Sequence, residues 1–397
     1  MTKTLSCKSG LALAMFSLLL FWPGAHASEG DAPSGLQTIV DEAIHPIMQN
    51  HDVPGMAVAI TVGGTRHVFT YGVASRASGQ AVTENTLFEI GSISKTFTAT
   101  LAAYAEETGA LSLSDPASAY LPGLAGSSFD SISLLDLGTY AAGGLPLQVP
   151  GHVTEENWSD YYRNWQPEYA PGTHRRYSNA SIGLFGHLAA RSIGQPFDEL
   201  MEGTIFPMLG LSNTFIHVPQ NRMRDYAYGY SKDGRPIRVN PGIWDAEAYG
   251  VKTSAADLIR FVEINMNPTG LDAALQRAVT ATHTGYYTVD GMVQGLGWEM
   301  YAYPTERDRL LAGNSRQMAF EAHEVERFAP PMPPRENVFI NKTGSTNGFG
   351  AYAAFIPSRD IGIVILANRN YPIPERVSAA YRILSALADQ TDTPSAE

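Results

Sequence analysis

The sequence is nearly free of cysteine, since Cys7 is the only one among its 397 residues. A chain with a single cysteine forms no internal disulfide, so its fold depends on a hydrophobic core. Hydrophobic residues make up 44% of the chain, which suffices for one large domain or two coupled domains. Cys7 also precedes the apolar run of residues 11–22, whereas a lipidated cysteine would follow such a run.

Long hydrophobic runs are scarce as well. The run at residues 11–22 is shorter than the ~20 residues of a membrane-spanning helix, and no comparable stretch follows it. It is preceded by Lys3 and Lys8 and followed by a small-residue site at residues 25–27, which is the pattern of a cleaved secretory signal. We therefore expect residues 1–27 to be a signal peptide, and the rest of the chain to reach the periplasm without a membrane anchor.

Positive charge is in deficit, with 27 Lys and Arg against 39 Asp and Glu and a net charge of −12. This balance argues against a nucleic-acid partner. The His323 segment, HEVER, lacks a second histidine four residues on, and no His-x-His pair occurs, so no metal site is predicted. No glycine-rich phosphate loop precedes a helix, and we expect neither a metal nor an organic cofactor.

Hydrophobic periodicity predicts helices and strands at both ends of the chain. The predicted elements are a helix over residues 36–48, a hairpin from Gly55 that turns at Gly63 and Gly64, three strands over 337–344, 349–358 and 360–369, and a terminal helix over 374–389. Residues 330–334, PPMPP, predict a stiff surface loop. Strands at both termini with short connections indicate one antiparallel sheet with the two terminal helices packed on it.

The middle of the chain is richer in short helical and turn segments. We expect an α+β fold in which residues 28–108 and 177–397 form an α/β domain around the sheet, and residues 109–176 form an inserted, mostly helical domain. A site between two such parts is the natural expectation.

The first stretch with chemical potential is GSISKT, residues 91–96, which places Ser92 three residues before Lys95. One interpretation is structural: serine is a good helix cap, and a lysine in a first turn is usually solvated. The other is catalytic, because residues three apart share a helix face and a buried lysine has a lowered pKa, so its neutral amine can take a proton from the serine.

The second stretch is Tyr177-Ser178-Asn179, directly before a small-residue, apolar run that predicts a buried helix. A buried tyrosine is usually a core residue with its hydroxyl satisfied. If Tyr177 faces Ser92 and Lys95 instead, nearby cations could stabilise its phenolate and make it a general base. Asn179 would then offer an amide to a substrate amide.

The third stretch is Lys342-Thr343-Gly344, at the end of a predicted strand. The tripeptide is compatible with simple turn chemistry. In the catalytic interpretation the strand edge aligns a peptide-like substrate, Lys342 supplies positive charge, and the N–H of Ser345 is an oxyanion donor. The order Ser-x-x-Lys, Tyr-x-Asn, Lys-Thr-Gly is informative because the first and third motifs are paired in penicillin-recognising serine enzymes.

The sequence resembles the class C β-lactamases well beyond these motifs. The segments FEIGSISKTFTATL, YAAGGLPLQVP, APGTHRRYSNASIGLFGHLA, AEAYGVKTSAADL, QGLGWEMY, NKTGSTNGFGAYAAFIPS and IGIVILANRNYP are similar to that family's segments and occur in the family's order. The resemblance implies a β-lactamase/transpeptidase-like fold and a small-molecule β-lactam substrate, with cephalosporins preferred. It also implies a monomer.

The resemblance implies a role for each matching residue. Ser92 would be the acylated nucleophile, Lys95 and Tyr177 its proton-transfer partners, and Lys342 a cation that tunes Tyr177. The implied substrate contacts are Gln148, Asn179 and Tyr249 on the side of the acyl group, and Thr343, Asn370 and Arg376 on the side of the lactam carboxylate.

Two positions depart from the family pattern. Ile373 stands where many members have an asparagine near the carboxylate, and Asn341 precedes Lys342 where a histidine is common. Neither position belongs to the acylation machinery, so we expect altered substrate ranking and retained hydrolysis. The alternatives that remain open are a DD-peptidase or an esterase of the same fold, a sensor that is acylated without turnover, and, from a different class, a metallo-hydrolase.

Overall fold

The computed structural model describes Thr2 and residues 35–392, so the rest of the predicted signal peptide, Cys7 included, lies outside the described residues. The strands are β1 (Gly55–Val62), β2 (Thr65–Gly72), β3 (Phe88–Glu89), β4 (His174–Arg176), β5 (Thr214–Phe215), β6 (Gly229–Tyr230), β7 (Pro236–Ile237), β8 (Lys252–Thr253), β9 (Gly285–Val289), β10 (Met292–Gln294), β11 (Glu299–Ala302), β12 (Ala322–Glu324), β13 (Glu326–Met332), β14 (Val338–Ser345), β15 (Gly350–Ile356) and β16 (Ile361–Ala367).

The α-helices lie between these strands along the chain without a regular repeat. They are α1 (Leu36–Asn50), α2 (Ser94–Glu107), α3 (Leu134–Gly138), α4 (Trp158–Asn164), α5 (Asn179–Ile193), α6 (Phe197–Leu200), α7 (Phe206–Met208), α8 (Asp245–Ala248), α9 (Ala255–Met266), α10 (Ala273–Ala281), α11 (Arg307–Gly313), α12 (Arg316–Phe320) and α13 (Ile373–Asp392). Within residues 35–392, no helix is both long and apolar enough to cross a membrane.

The terminal elements form as predicted. Helix α1 runs through Pro46, and β1 and β2 form a hairpin whose turn residues, Gly63 and Gly64, have φ of 56° and 76°. Glycine suits this turn because its lack of a Cβ makes the left-handed region accessible. The three C-terminal strands are β14, β15 and β16, followed by α13.

The two chain ends meet in one sheet. Strand β16 pairs antiparallel with β1, with Met56 opposite Ala367 and Val62 opposite Ile361. The sheet that contains them runs in the order β13-β9-β10-β11-β14-β15-β16-β1-β2 within the described part of the chain. The predicted α+β class, with an antiparallel sheet built from both termini, is confirmed.

The sheet extends further than the sequence indicated. Strands β9, β10, β11 and β13 continue it beyond β14. The interpretation of residues 330–334 as a surface loop was wrong in part, because residues 330–332 belong to β13. Prolines are compatible with β13 because it is the edge strand, where one row of N–H groups needs no ladder partner.

Both faces of the central strands are buried. Met56, Val58 and Ile60 pack with the terminal helices on one face, whereas Ala57 and Ala59 pack on the other with residues of α2 and α9. Alternate residues of a strand point to opposite faces, so each strand contributes to two cores. The sheet is therefore a buried central layer, and the end of β14 lies against residues 90–93, directly before α2.

A third core lies in the helical part. It joins residues of the middle segment, such as Phe129 and Leu137, to Ala99 of α2 and Leu184 of α5. This cluster draws on both sides of the predicted boundaries at residues 109 and 176, so the domain division stays a prediction. Helices α2 and α5, which border the site, therefore each contribute residues to this core and to the core under the sheet.

Candidate active site

Ser92 lies in a short 3-10 helix, Gly91–Ile93, directly before α2. Ser92 is not the N-cap of α2, because Ile93 occupies that position and its side chain makes no capping hydrogen bond. The end of β14 packs directly on this turn. A Cβ on Gly91 would collide with the backbone of Ser345, and a Cβ on Gly344 would collide with the backbone before the turn. The two glycines therefore bring Ser92 and Ser345 together.

The Lys95 side chain meets Ser92 in the way its spacing predicted. Lys95 is fully buried, and its Nζ donates to the Ser92 Oγ at 2.9 Å and to the Ala248 carbonyl oxygen at 2.6 Å. Burial lowers the pKa of Lys95 to about 8, although the neighbouring Tyr177 opposes that shift. A substantial share of Lys95 is then a neutral amine at mildly alkaline pH, which can accept a proton.

Tyr177 lies between β4 and α5 with its ring among cations. The Nζ atoms of Lys95 and Lys342 are 5.1 Å and 5.0 Å from the ring centroid, and the Arg175 guanidinium carbon is 5.6 Å from it. Burial raises the pKa of Tyr177, but Lys342 and Lys95 lower it more, so the net pKa lies below that of a free tyrosine. Its hydroxyl has no hydrogen-bond partner of suitable geometry among the described residues, so the oxygen is available for a proton.

Lys342 is kept cationic by the carboxylate of Glu299, which was not among the predicted site residues. Its Nζ lies 3.5 Å from the Oε1 of Glu299, and both side chains are at most 5% exposed. Burial lowers the pKa of Lys342, but Glu299 and Tyr177 raise it more, and the net pKa is above that of a free lysine. Glu299 also lies 3.3 Å from Arg175, which donates to Gln294 at 2.7 Å.

The last four residues of β14 have one strand partner. Residues 342–345 pair with β15, whereas the ladder with β11 ends where Glu299 lies opposite Asn341. The edge on the β11 side is therefore not covered by another strand within residues 35–392. A peptide-like segment can align along such an edge.

A cavity of about 450 Å³ opens on one side of Ser92. Its lining includes four predicted site residues together with both serines of the close contact: Ser92, Gln148, Asn179, Tyr249, Ser345 and Asn370. The Oδ1 of Asn179 is buried without a partner among the described residues. Arg238 also lines this cavity and is its one charged side chain among the described residues. It was not among the predicted site residues, because a single arginine outside any motif does not indicate a binding site.

A second cavity, of about 130 Å³, lies on the other side of Ser92. Its lining includes four of the five catalytic candidates, the predicted substrate contact Thr343 and three further positions: Ser92, Tyr177, Lys342, Ser345, Thr343, Glu299, Asn314 and Ile373. Ser92 and Ser345 line both cavities, so the serine hydroxyl is reachable from either side. Thr343 is half-buried and lies where a small polar group of a ligand can reach it.

Arg376 lies behind the site and lines neither cavity. It is fully buried and donates to the Gly344 carbonyl oxygen at 2.7 Å, to the Ser345 Oγ at 3.1 Å and to the Asn370 Oδ1 at 3.0 Å. Asn370 lines the larger cavity, with Asn179 and Tyr249, and not the smaller one with Thr343. The predicted contacts of Arg376 and Asn370 with a substrate carboxylate stay predictions, and the geometry favours a supporting contact for Arg376.

Asn341, one of the two departures, is fully buried, and both the nitrogen and the oxygen of its amide are hydrogen-bonded. Its Nδ2 donates to the Glu299 carbonyl oxygen at 3.0 Å, and its Oδ1 accepts from Asn314 at 3.0 Å and from the Tyr352 hydroxyl at 3.1 Å. The amide therefore links β11, β14, β15 and the end of α11. Within residues 35–392, no three His, Cys, Asp or Glu side chains are grouped to hold a metal ion.

Comparisons with known proteins find similar sequences and structures over most of the chain. The β-lactamase family model matches residues 40–388. A β-lactamase of Pseudomonas fluorescens is 59% identical over 353 residues, which is 89% of this chain and 99% of that protein. A class C β-lactamase solved with cefoxitin has a TM-score of 0.87 at 48% identity, covering 89% of this chain and 99% of the other.

A further structure, described as a β-lactamase/D-alanine carboxypeptidase from Pseudomonas syringae, has a TM-score of 0.88 at 49% identity, covering 91% of this chain and all of the other. The fold is thus that of the serine β-lactamase and penicillin-binding protein superfamily. Within it, the chain belongs to the β-lactamase family, and its structural neighbours are class C enzymes.

Proposed function

We propose that this protein hydrolyses the amide bond of β-lactams through an acyl-enzyme on Ser92. The observation that carries the proposal is the 2.9 Å hydrogen bond from a buried Lys95, with a pKa of about 8, to the Ser92 hydroxyl. A serine with such a neighbour has a route for its proton, which is what an unactivated serine lacks. Family membership supports the choice of a β-lactam as the substrate.

In acylation the Ser92 Oγ forms a bond to the lactam carbonyl carbon. The proton of Ser92 passes to the Lys95 and Tyr177 pair, and the same pair returns a proton to the lactam nitrogen as the carbon–nitrogen bond breaks. We assign the backbone N–H groups of Ser92 and Ser345 as the oxyanion donors, because the close packing at Gly91 places the two residues side by side.

In deacylation a water oxygen attacks the acyl carbon and the bond to the Ser92 Oγ breaks. We assign Tyr177 as the base that takes the proton of this water, since Lys342 and Lys95 favour its phenolate. Ser92 recovers a proton from the same pair, so the enzyme returns to its starting state. No cofactor is required for either step.

We place the acyl group of the substrate in the larger cavity, beside Gln148, Asn179 and Tyr249, and the lactam carboxylate in the smaller cavity, beside Thr343 and Lys342. The Asn179 amide, whose Oδ1 has no partner among the described residues, suits a substrate amide N–H. We expect cephalosporins to be preferred, and we expect the enzyme to act as a monomer in the periplasm.

The test is turnover of a chromogenic cephalosporin by the wild type and by Ser92→Ala, with intact mass recorded during the reaction. Ser114→Ala, at an exposed serine outside both cavities, is the matched control. Many turnovers by the wild type and the control, and none by Ser92→Ala, are the expected result. Absence of both adduct and turnover in the wild type contradicts the proposal.

A second candidate is D-alanine carboxypeptidase activity. Two observations favour it: the open edge of β14 at residues 342–345, which suits a peptide, and the description of the Pseudomonas syringae structure as both a β-lactamase and a D-alanine carboxypeptidase. The test is release of D-alanine from a D-Ala-D-Ala peptide, measured beside the cephalosporin assay. A single stable β-lactam adduct without turnover, combined with D-alanine release, would favour the peptidase.

A further inference from the structure

Helix α2 makes two hydroxyl contacts with the segment of residues 247–251. The Thr98 Oγ1 donates to the Glu247 carbonyl oxygen at 2.6 Å, and the Ser94 Oγ accepts from the Val251 N–H at 3.0 Å. Thr98 follows Ser94 by four residues, so both hydroxyls lie on the same helix face. Both side chains are fully buried.

The two contacts flank the acceptor that Lys95 uses. The Ala248 carbonyl oxygen, which accepts from the Lys95 Nζ at 2.6 Å, follows Glu247 and precedes Val251 in the chain. Lys95 itself lies next to Ser94 on α2. Helix α2 therefore carries Lys95 and also holds the segment that contains its acceptor, the Ala248 carbonyl. One hydroxyl contact precedes Ala248 in the chain, at Glu247, and the other follows it, at Val251.

The segment also carries part of the larger cavity. Tyr249, directly after Ala248, lines that cavity with Ser92. The segment is also packed against α5, where a Cβ on Gly186 would lie 2.6 Å from the Thr98 Cγ2 and 2.9 Å from the Glu247 Cγ. This contact limits movement toward α5, so the two hydroxyls control movement along and away from α2.

We propose that Ser94 and Thr98 form a clamp, here the α2 clamp, that holds the Ala248 carbonyl on Lys95 and Tyr249 at the cavity wall. They are positioning residues, since neither lines a cavity beside Ser92. This role rests on the proposed function of Lys95 as a proton-transfer group. It also identifies the contacts that keep a hydrogen-bond acceptor on the Lys95 amine.

Loss of the clamp has a defined sign. A carbonyl that accepts from Nζ favours the charged ammonium, so it partly opposes the burial that lowers the Lys95 pKa. If the Ala248 carbonyl moves away, the pKa of Lys95 should fall below about 8. The expected fall is about one unit, the scale of one hydrogen bond to a charged group.

The experiment compares Thr98→Val with Thr100→Val. Thr100 is equally buried on the same helix, but its hydroxyl donates to the Thr96 carbonyl oxygen at 2.9 Å, within α2. Both variants lose one hydroxyl and keep the branched shape. Thr98→Ser, which keeps the hydroxyl, is the rescue variant, and Ser94→Ala tests the other point of the clamp.

The first readout is the pKa of Lys95 in the free enzyme, by NMR of lysine labelled with ¹³C at Cε and assigned with Lys95→Met. The second is the pH profile of kcat/KM for a chromogenic cephalosporin. Thr98→Val is expected to lower the Lys95 pKa, which by itself favours the neutral amine and should move the acid limb of the profile to lower pH. The displaced Ala248 and Tyr249 misplace the lysine and the cavity wall, so kcat/KM should nevertheless fall about tenfold at pH 7. Thr98→Ser and Thr100→Val should stay close to the wild type.

The α2 clamp is overturned if folded Thr98→Val, checked by circular dichroism and melting, has the Lys95 pKa of the wild type. It is also overturned if Thr100→Val lowers that pKa equally, since the effect would then come from any lost hydroxyl. If Thr98→Val does not fold, Ser94→Ala decides by the same pKa. A wild type without turnover would contradict the proposed function, but the NMR pKa would still test the clamp.

Discussion

Lys342→Met should raise the pKa of Tyr177 and thereby suppress activity at neutral pH. In the wild type, burial raises the Tyr177 pKa and the cations of Lys342 and Lys95 lower it more. The substitution keeps the length of the side chain and its packing, but removes one of the two cations.

The size of the effect follows from the geometry. The Lys342 Nζ lies 5.0 Å from the Tyr177 ring centroid. At that separation and an effective dielectric constant of about 20, two unit charges attract by about 3 kcal/mol, which corresponds to about two pKa units. The phenolate fraction at pH 7 then falls about 100-fold, and kcat/KM should fall by a similar factor, with its pH optimum displaced upward.

The assay measures Tyr177 directly, because Lys342 is also proposed to contact substrate. The free enzyme is labelled with ¹³C at the tyrosine Cζ, Tyr177→Phe identifies the resonance, and the resonance is titrated in wild type and Lys342→Met. Lys252→Met is the matched control, since Lys252 is another buried lysine and its Nζ donates to the Ile216 carbonyl oxygen at 2.8 Å, away from both cavities. A Tyr177 pKa that is equal in Lys342→Met and the wild type would refute the reasoning.

Three further outcomes are expected. Burial raises the pKa of Glu247 to about 8, so the folded state holds a proton that the unfolded state releases near pH 4.3, and the stability of the wild type falls as pH rises between these values. In urea unfolding from about pH 5 to 8, Glu247→Gln should therefore gain about 1.4 kcal/mol in free energy of unfolding per pH unit over the wild type. Parallel curves of unfolding free energy against pH for the two proteins would contradict this. Asn341→His cannot meet all three hydrogen bonds of the amide, so it should cost about 1–3 kcal/mol in the same assay, and an unchanged stability would show that the network is dispensable. Ile373→Asn adds an amide to the smaller cavity and should lower KM for cephalosporins about fivefold with kcat nearly unchanged, whereas an unchanged KM would place the lactam carboxylate elsewhere.

The strands at the two ends of the chain, β1, β2 and β14 to β16, were predictable because each is indicated by the residues of the strand and its adjoining turn. Residues 55–72 alternate β-branched and apolar positions around Gly63 and Gly64, and residues 338–367 do the same, so strand and turn are both encoded within a few residues. The strands β9 to β11 are short and give no such run. Strand β13 contains prolines that indicate a loop, and its pairing with β9 depends on tertiary contacts that a local pattern does not contain.

The site divides along the same line. The contact of Lys95 with Ser92 follows from a spacing of three on one helical turn, and was predictable from that spacing alone. Glu299 is 43 residues from Lys342 and 124 residues from Arg175, and its role depends on strand pairing. An acidic residue inside GLGWEMY, an otherwise apolar segment that leads into β11, was the one available signal, because an acid in a buried segment requires a cation.

The charges around Tyr177 give a reason for its lowered pKa that no single pair provides. Lys95, Arg175 and Lys342 surround the tyrosine, whereas Glu299 is the carboxylate paired with two of them. Three buried cations with one anion are costly in a medium that solvates charge poorly. A phenolate on Tyr177 supplies a second negative charge, whereas loss of the Lys95 proton removes a positive one, and either change relieves the imbalance. Each makes the other harder, because the Tyr177 phenolate raises the pKa of Lys95 and the Lys95 cation lowers the pKa of Tyr177. The cluster therefore favours one deprotonated group beside the serine nucleophile, shared between Lys95 and Tyr177, and the burial of the remaining cations is a cost to stability.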